Sequence, residues 1–401
     1  MTAGSREGGV ADADGGTPKA RVSPYELFYD LVFAGAILGL SIDFGRTESW
    51  AAVGIAFSTL LLAWWVWQET MLFTNRFGDP LRPLSTGQDR RQAILLLLAR
   101  SVCLLQMISI ILLALYEPAR LELEGFEGAF SWASAAAIFF LFALRELGAR
   151  SKPELAETVK VRRPWEILSI GLFVAAGLVS GEPEQLLWFG GMMATFLPGL
   201  WFIGRERHLD SPVQAAHISE RLMLFTLIIA GDLFLKIIVY WNGDIADSLS
   251  AIQLVFVSLI IFSIFRLYVS RVGDHPVPSD PLKFRAWLLL HLLLAFSLLV
   301  ASGGMVEYVT PKGGLTYWNG LSAGFGVAGA VLTMALLDWI GGGRESGLRA
   351  NEMFGLAVVV AGLTLGFVYL TPDNWRVGMG SLALLMILYA QSSSWRYREP
   401  A

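Results

Sequence analysis

Charge is what this sequence is short of. Asp, Glu, Lys and Arg supply 16% of its 401 residues, against about 25% in an ordinary soluble domain. A water-exposed surface for a chain of this size cannot be covered with so few charges, which excludes a soluble globular protein. Cysteine is almost missing: Cys103 stands alone inside an apolar run. No internal disulfide or thiolate metal cluster can form, and Cys103 reads as a small buried hydrophobe. The four histidines are scattered, and neither a GxxxxGK[ST] loop nor an HExxH pair occurs, which argues against ATP-driven pumping and zinc hydrolysis. No cofactor, no metal and no nucleic-acid partner is expected, and the chain is not expected to be an enzyme. Residues 1–22, rich in Gly, Ala and Asp, lack the apolar core of a signal peptide and are expected to form a disordered cytoplasmic tail. The apolar runs also lack the period-2 alternation of a membrane barrel.

Long apolar runs are abundant. Hydrophobic residues make up 55% of the chain, and a helix that crosses a bilayer needs roughly 20 of them in succession. Twelve windows qualify, at 25–44, 49–73, 92–116, 129–147, 165–180, 185–204, 218–240, 248–269, 284–303, 318–340, 352–371 and 375–392. The expected fold is therefore an all-α integral membrane protein with about twelve transmembrane helices. If the N-terminal tail and every second loop share one side, 24 of the 30 Lys and Arg residues fall there, among them Arg145, Arg162, Arg221 and Arg271. Four fall opposite, and Arg100 and Lys236 lie within helices. Such an asymmetry places both termini in the cytoplasm.

An internal repeat is the next feature. A shift of 194 or 195 residues brings Glu26 onto Glu220, Arg76 onto Arg271 and Arg90 onto Arg285. Two six-helix units are expected, at 23–205 and 206–395, with a short tail at 396–401. Because six is even, both units run in the same direction, as in one class of transporter.

Three stretches carry a family resemblance. ELFYDLVF, from Glu26 to Phe33, resembles the opening signature of the bacterial low temperature requirement A (LtrA) family. HISERLMLFTLIIAGD, from His217 to Asp232, is similar to its second signature, and TNRFGD, from Thr74 to Asp79, to a third. The residues that carry the match are Glu26, Asp30, Asn75, Arg76, His217, Glu220, Arg221 and Asp232. Two departures stand out: Asp232 replaces the family's usual Glu, and the acidic cluster after Phe77 is reduced to Gly78-Asp79-Pro80. The resemblance implies a membrane-embedded protein tied by name to growth in the cold, and it brings no biochemical activity.

Charges inside apolar runs are costly, about 2.5–3.5 kcal/mol each at the bilayer centre, and so mark candidate sites. Three groups are expected. Glu26 with Arg76, and Glu220 with Arg271, read as repeat-related ion pairs at the cytoplasmic edge. Asp30, Glu69, Arg100 and His291 share a depth, and read either as a proton or ion relay between the halves or as a neutralised structural network. Arg100, with no acid on its own helix face, is expected to contact Asp30 or Glu69. Asp232 and Lys236 form an i,i+4 pair. A resemblance of Tyr29-Asp30 and Gly231-Asp232 to paired intramembrane protease aspartates is weak, because the two acids fall in different leaflets. Gly35/Gly39, Gly177/Gly181, Gly320/Gly324 and Gly362/Gly366 have the small-xxx-small spacing of close helix contacts. Pro198 should kink its helix, and Trp64, Trp65 and Trp67 read as core or lipid-facing aromatics, or as a ligand-stacking wall. The expected partners are the lipid bilayer and a small solute or ion. The functional expectation is a transporter-like protein; the alternative is a membrane sensor, assembly factor or lipid-binding scaffold.

Overall fold

The computed structural model describes residues 23–44, 49–77, 90–116, 128–151, 156–201, 215–240, 248–273, 277–309, 317–341, 346–370 and 375–396. Among these there are twelve α-helices and no strand. They are α1 (Pro24–Phe44), α2 (Trp50–Phe77), α3 (Arg90–Leu115), α4 (Gly128–Ser151), α5 (Ala156–Ala176), α6 (Glu182–Trp201), α7 (Ala215–Tyr240), α8 (Ser248–Tyr268), α9 (Pro281–Val309), α10 (Tyr317–Gly341), α11 (Ser346–Leu370) and α12 (Trp375–Arg396). A π-turn, Val269–Gly273, extends α8. Each expected window coincides with one helix. Six helical stretches are long and apolar enough to cross a membrane, where only structures that satisfy their own backbone groups are stable.

The largest departure is at α5. It begins at Ala156, not at 165, and takes Arg162 and Glu166 inside the helix. A hydropathy window rejects such residues, but charges that neutralise one another in the bundle need no water. Local chemistry sets the other end of the fold. Ser23 and Glu26 form a reciprocal capping box: Glu26 N–H donates to Ser23 Oγ at 3.1 Å, and Ser23 N–H to Glu26 Oε2 at 3.0 Å. Pro24 occupies the first helical position, where its missing N–H costs nothing.

Helix α2 is the axis of the first half. Every residue from Leu62 to Thr74 is buried, as expected of a helix enclosed on all sides. Trp64, Trp65 and Trp67 are thus core residues. α3 lies outside, with Leu97, Leu104 and Ile108 about half exposed on an apolar face suited to lipid. Helices α1 and α7 run side by side in the same direction, because the contacts advance together from Glu26–His217 to Asp30–Arg221 to Phe33–Phe225. Neighbour pairs recur between the halves: α1·α3 and α7·α9, α2·α4 and α8·α10, α3·α4 and α9·α10, α4·α5 and α10·α11.

Small residues decide the closest approaches, though only partly at the expected positions. A Cβ at Gly304 would stand 2.4 Å from Ala323 N and Asn319 O, and one at Gly326 would stand 2.3 Å from Ala301 N, so α9 and α10 meet backbone to backbone. A Cβ at Gly324 would overlap Thr364 of α11, whereas Gly35, Gly362 and Gly366 face open space. Gly181 has φ +79° and turns the chain between α5 and α6, a conformation that favours glycine.

Candidate functional site

Helical spacing puts Glu26, Asp30 and Phe33 on one face of α1, His217, Arg221 and Phe225 on one face of α7, and Trp67, Thr70 and Thr74 on one face of α2. These faces meet. Arg221 and Asp30 are essentially inaccessible, at 1% and 0% exposure. Arg221 Nε donates to Asp30 Oδ2 at 3.0 Å and Nη2 to Oδ1, the paired geometry in which guanidinium and carboxylate bind most strongly. Trp67 Nε1 donates to Asp30 Oδ1 at 2.8 Å, so both carboxylate oxygens are engaged. The third arm of Arg221, Nη1, reaches Thr74 Oγ1 at 3.1 Å and lies 3.5 Å from Glu26 Oε1. One turn nearer the helix ends, His217 Nε2 lies 3.2 Å from Glu26 Oε2, and His217 Nδ1 lies 3.0 Å from Asn75 Nδ2. An amide nitrogen only donates, so Nδ1 accepts and Nε2 carries the hydrogen that faces the carboxylate. Tyr29 O–H donates to Gln106 Oε1 of α3 at 2.8 Å and extends the polar seam. Asp30 and Arg221 each lie about 9 Å from the first residue of their helices.

Glu69 is on the other side of α2. It accepts from Arg145 of α4, and from Arg162 of α5 at 3.0 Å, while Arg145 also pairs with Glu166 of α5. All four side chains are at most 9% exposed. α2 therefore separates two buried ionic groups, one shared with α1 and α7 and one with α4 and α5.

The structure divides the set expected at one depth. Asp30 belongs to the α1–α7 seam and Glu69 to the α4–α5 group. Among the described contacts, Asp30 takes Arg221, and Glu69 takes Arg145 and Arg162. Arg100 is half-buried on α3, the helix whose Leu97 and Leu104 are exposed. His291 of α9 is separate again. Its Nδ1–H donates to the Trp287 carbonyl at 2.8 Å, which leaves Nε2 to accept from Tyr268 O–H at 3.2 Å. It is a satisfied core residue stacked edge-on against Trp287. The repeat-related pairs are also not equivalent. Glu26 is buried against His217 and Arg221, but Glu220 is exposed while Arg271 is buried. The side chains of Arg76 and Asp232 lie outside the described residues, and Lys236 is buried.

Sequence reasoning missed Arg145, Arg162, Glu166 and the Trp67 indole. Arg145, Arg162, Arg221 and Arg271, counted with the cytoplasmic loops, are buried in the bundle. The count on the side expected to be cytoplasmic drops from 24 by four to 20, against the same four opposite. The one signal available for α5 was the i,i+4 spacing of Arg162 and Glu166.

A model of the family described as bacterial low temperature requirement A protein (LtrA) matches residues 21–389. An uncharacterized protein of Rhizobium meliloti (strain 1021) is 23% identical over 229 residues, which is 55% of this chain and 51% of that protein. The chain thus spans about half the length of the curated relative it matches. No solved structure matches.

Proposed function

We propose, from the premise that this chain belongs to the bacterial low temperature requirement A family, that it is a twelve-span inner-membrane protein with a transporter-like, proton-coupled role centred on the α1–α7 seam. The observation that carries the reading is the buried group Glu26–His217–Asn75 and Asp30–Arg221–Trp67, built where the first helices of two six-helix units meet. The parallel course of α1 and α7, and the recurrence of helix neighbours in both halves, support the two-unit organisation. Transport requires such halves to move against each other, and a titratable seam lets a proton bias that motion. His217 supplies the chemistry. With Asn75 donating to Nδ1, the imidazole is neutral; a proton added at Nδ1 would oppose two donors until the Asn75 amide turned its oxygen inward. The charged groups facing this event are Glu26 and Asp30 of α1 and Arg221 of α7, with α9 and the π-turn bringing Arg285 and Arg271 to the same end of the bundle.

The alternative is a non-transporting scaffold or sensor, favoured by the full engagement of both Asp30 oxygens, which suits a sealed structural tie. The discriminating experiment uses protein reconstituted into liposomes that hold a pH-sensitive dye. A membrane potential is imposed, and monovalent cations and small organic solutes are supplied in turn. Proton entry in the wild type that is lost in a folded His217→Gln variant supports the transport reading. Entry no faster than in protein-free liposomes with every solute supports the scaffold.

A further inference from the structure

The second ionic group borders a cavity that the α1–α7 seam does not use. Its volume, counted as space open to the centre of a water molecule, is about 20 Å³, and α2, α4, α5 and α6 line it. One water needs about 10–15 Å³ on this measure, together with two to four polar partners. The partners are present. Glu166 is 7% exposed and lines the cavity, and its Oε2 has no hydrogen-bond partner among the described residues. Thr195 lines it too, with its own hydroxyl hydrogen bonded toward Gly191 O or Ser169 Oγ and at least one lone pair open. Pro198 carries no N–H, so the carbonyl of Ala194 lacks its usual helical donor; both residues line the same space.

These unmet groups are all acceptors, so the guest must donate hydrogen bonds. Charge then decides between a cation and a neutral molecule. Two carboxylates, Glu69 and Glu166, face two guanidinium groups, Arg145 and Arg162. The group is already balanced, and α6 adds no charge to the lining. A cation would leave one positive charge uncompensated in a buried setting, which is costly. A neutral donor carries no such penalty.

We propose that this cavity is a hydration site within the helical bundle, holding one water that donates to Glu166 Oε2 and to Thr195 or the Ala194 carbonyl. The α2 helix then stands between this hydrated ionic group and the α1–α7 seam. Two neighbouring tryptophans report the hydration. Trp65 lines the cavity at 6% exposure, while Trp64, at 0%, packs against Trp67 and Phe225 on the other side. Both are buried, so a faster oxidation of Trp65 that falls when the cavity is filled reports water bound beside it.

The test is pulsed hydroxyl-radical footprinting, with radicals made from water in place, on the full chain in lipid nanodiscs. Oxidation is read at each tryptophan by mass spectrometry. Wild-type Trp65 should be oxidised several-fold faster than Trp64. Ala194→Leu, which fills the cavity, should bring Trp65 down to the Trp64 rate. Should that variant not fold, Glu166→Leu and Thr195→Val each remove an acceptor and should lower the Trp65 rate while Trp64 stays constant. Equal rates at Trp65 and Trp64 in the wild type overturn the proposal, as does a Trp65 rate that all folded variants leave unchanged. The response of Trp65 to Ala194→Leu, Glu166→Leu and Thr195→Val reports this cavity alone, so it separates the site from the α1–α7 reading, which the liposome assay tests.

Discussion

Arg221 serves two acids, and that asymmetry can be measured. Replacing it by Met keeps much of its length and removes the charge. Asp30, at 0% exposure, would then keep only the Trp67 indole as a donor, and Glu26 would keep His217 and the Ser23 amide. Leaving one member of a buried pair without its partner costs roughly 3–5 kcal/mol. Asp30→Asn should cost less. The amide oxygen still accepts from Trp67, and Arg221 still has Glu26 at 3.5 Å and Thr74 at 3.1 Å. The loss is then that of hydrogen bonds to a charged acceptor, about 1.5–3 kcal/mol. The double variant leaves neither charge stranded across the pair and should recover about 2 kcal/mol relative to Arg221→Met alone, within the usual range of couplings between touching residues. Against a total stability of roughly 5–15 kcal/mol, these differences are resolvable by reversible denaturant unfolding in detergent, followed by tryptophan fluorescence. Equal costs for the two single changes, or a double variant no better than Arg221→Met, would refute the view that Arg221 is the shared cation of Glu26 and Asp30.

Three further outcomes are expected. Gly304→Ala places a methyl group 2.4 Å from backbone atoms of α10; overpacking of this kind costs about 1–3 kcal/mol, whereas Gly362→Ala, facing open space, should cost nothing in the same thermal unfolding assay. Trp67→Phe keeps the ring contacts with Phe225 at 4.6 Å and Trp64 at 4.9 Å but removes the donor to Asp30, so a loss of about 1.5–3 kcal/mol is expected, and it should largely vanish when Asp30→Asn is already present. Reporter fusions after Glu122 and Ile245 should behave as external and those after Leu155 and Asp280 as cytoplasmic; an external signal at Leu155 would contradict twelve crossings.

Much of the architecture was legible because membrane helices announce themselves locally. Twelve apolar windows each overlap one described helix, and six of those helical stretches are long and apolar enough to cross a membrane. The three stretches that resemble one family also contain residues that the structure brings together: Glu26, Asp30, Asn75, His217 and Arg221. The pairings within that site were less accessible. Repeat symmetry pointed to Arg76 for Glu26 but not to His217 and Arg221, which lie against it. Symmetry of sequence did not carry symmetry of burial, since Glu220 is exposed where Glu26 is enclosed. Arg145 and Arg162 were hidden for the opposite reason. A count of basic residues treats every Arg near a helix end as a loop charge, while a buried Glu69 draws both into the bundle.

What the sequence determined by itself is each residue's place along its helix axis. A rise of about 1.5 Å per residue converts position into depth, and that was enough to set Asp30 and Glu69 at comparable levels. What only the tertiary structure decided is direction around the axis. Depth groups acids with every cation in the same slab, but a guanidinium pairs only across the face its helix turns toward a neighbour. Those faces follow from contacts between residues 76 to 191 positions apart in the chain, such as α2 wedged between α1 and α7 on one side and α4 and α5 on the other. Which helices become neighbours depends in turn on how closely their backbones can approach, as α9 and α10 do at Gly304 and Gly326, and that is a property of two surfaces together.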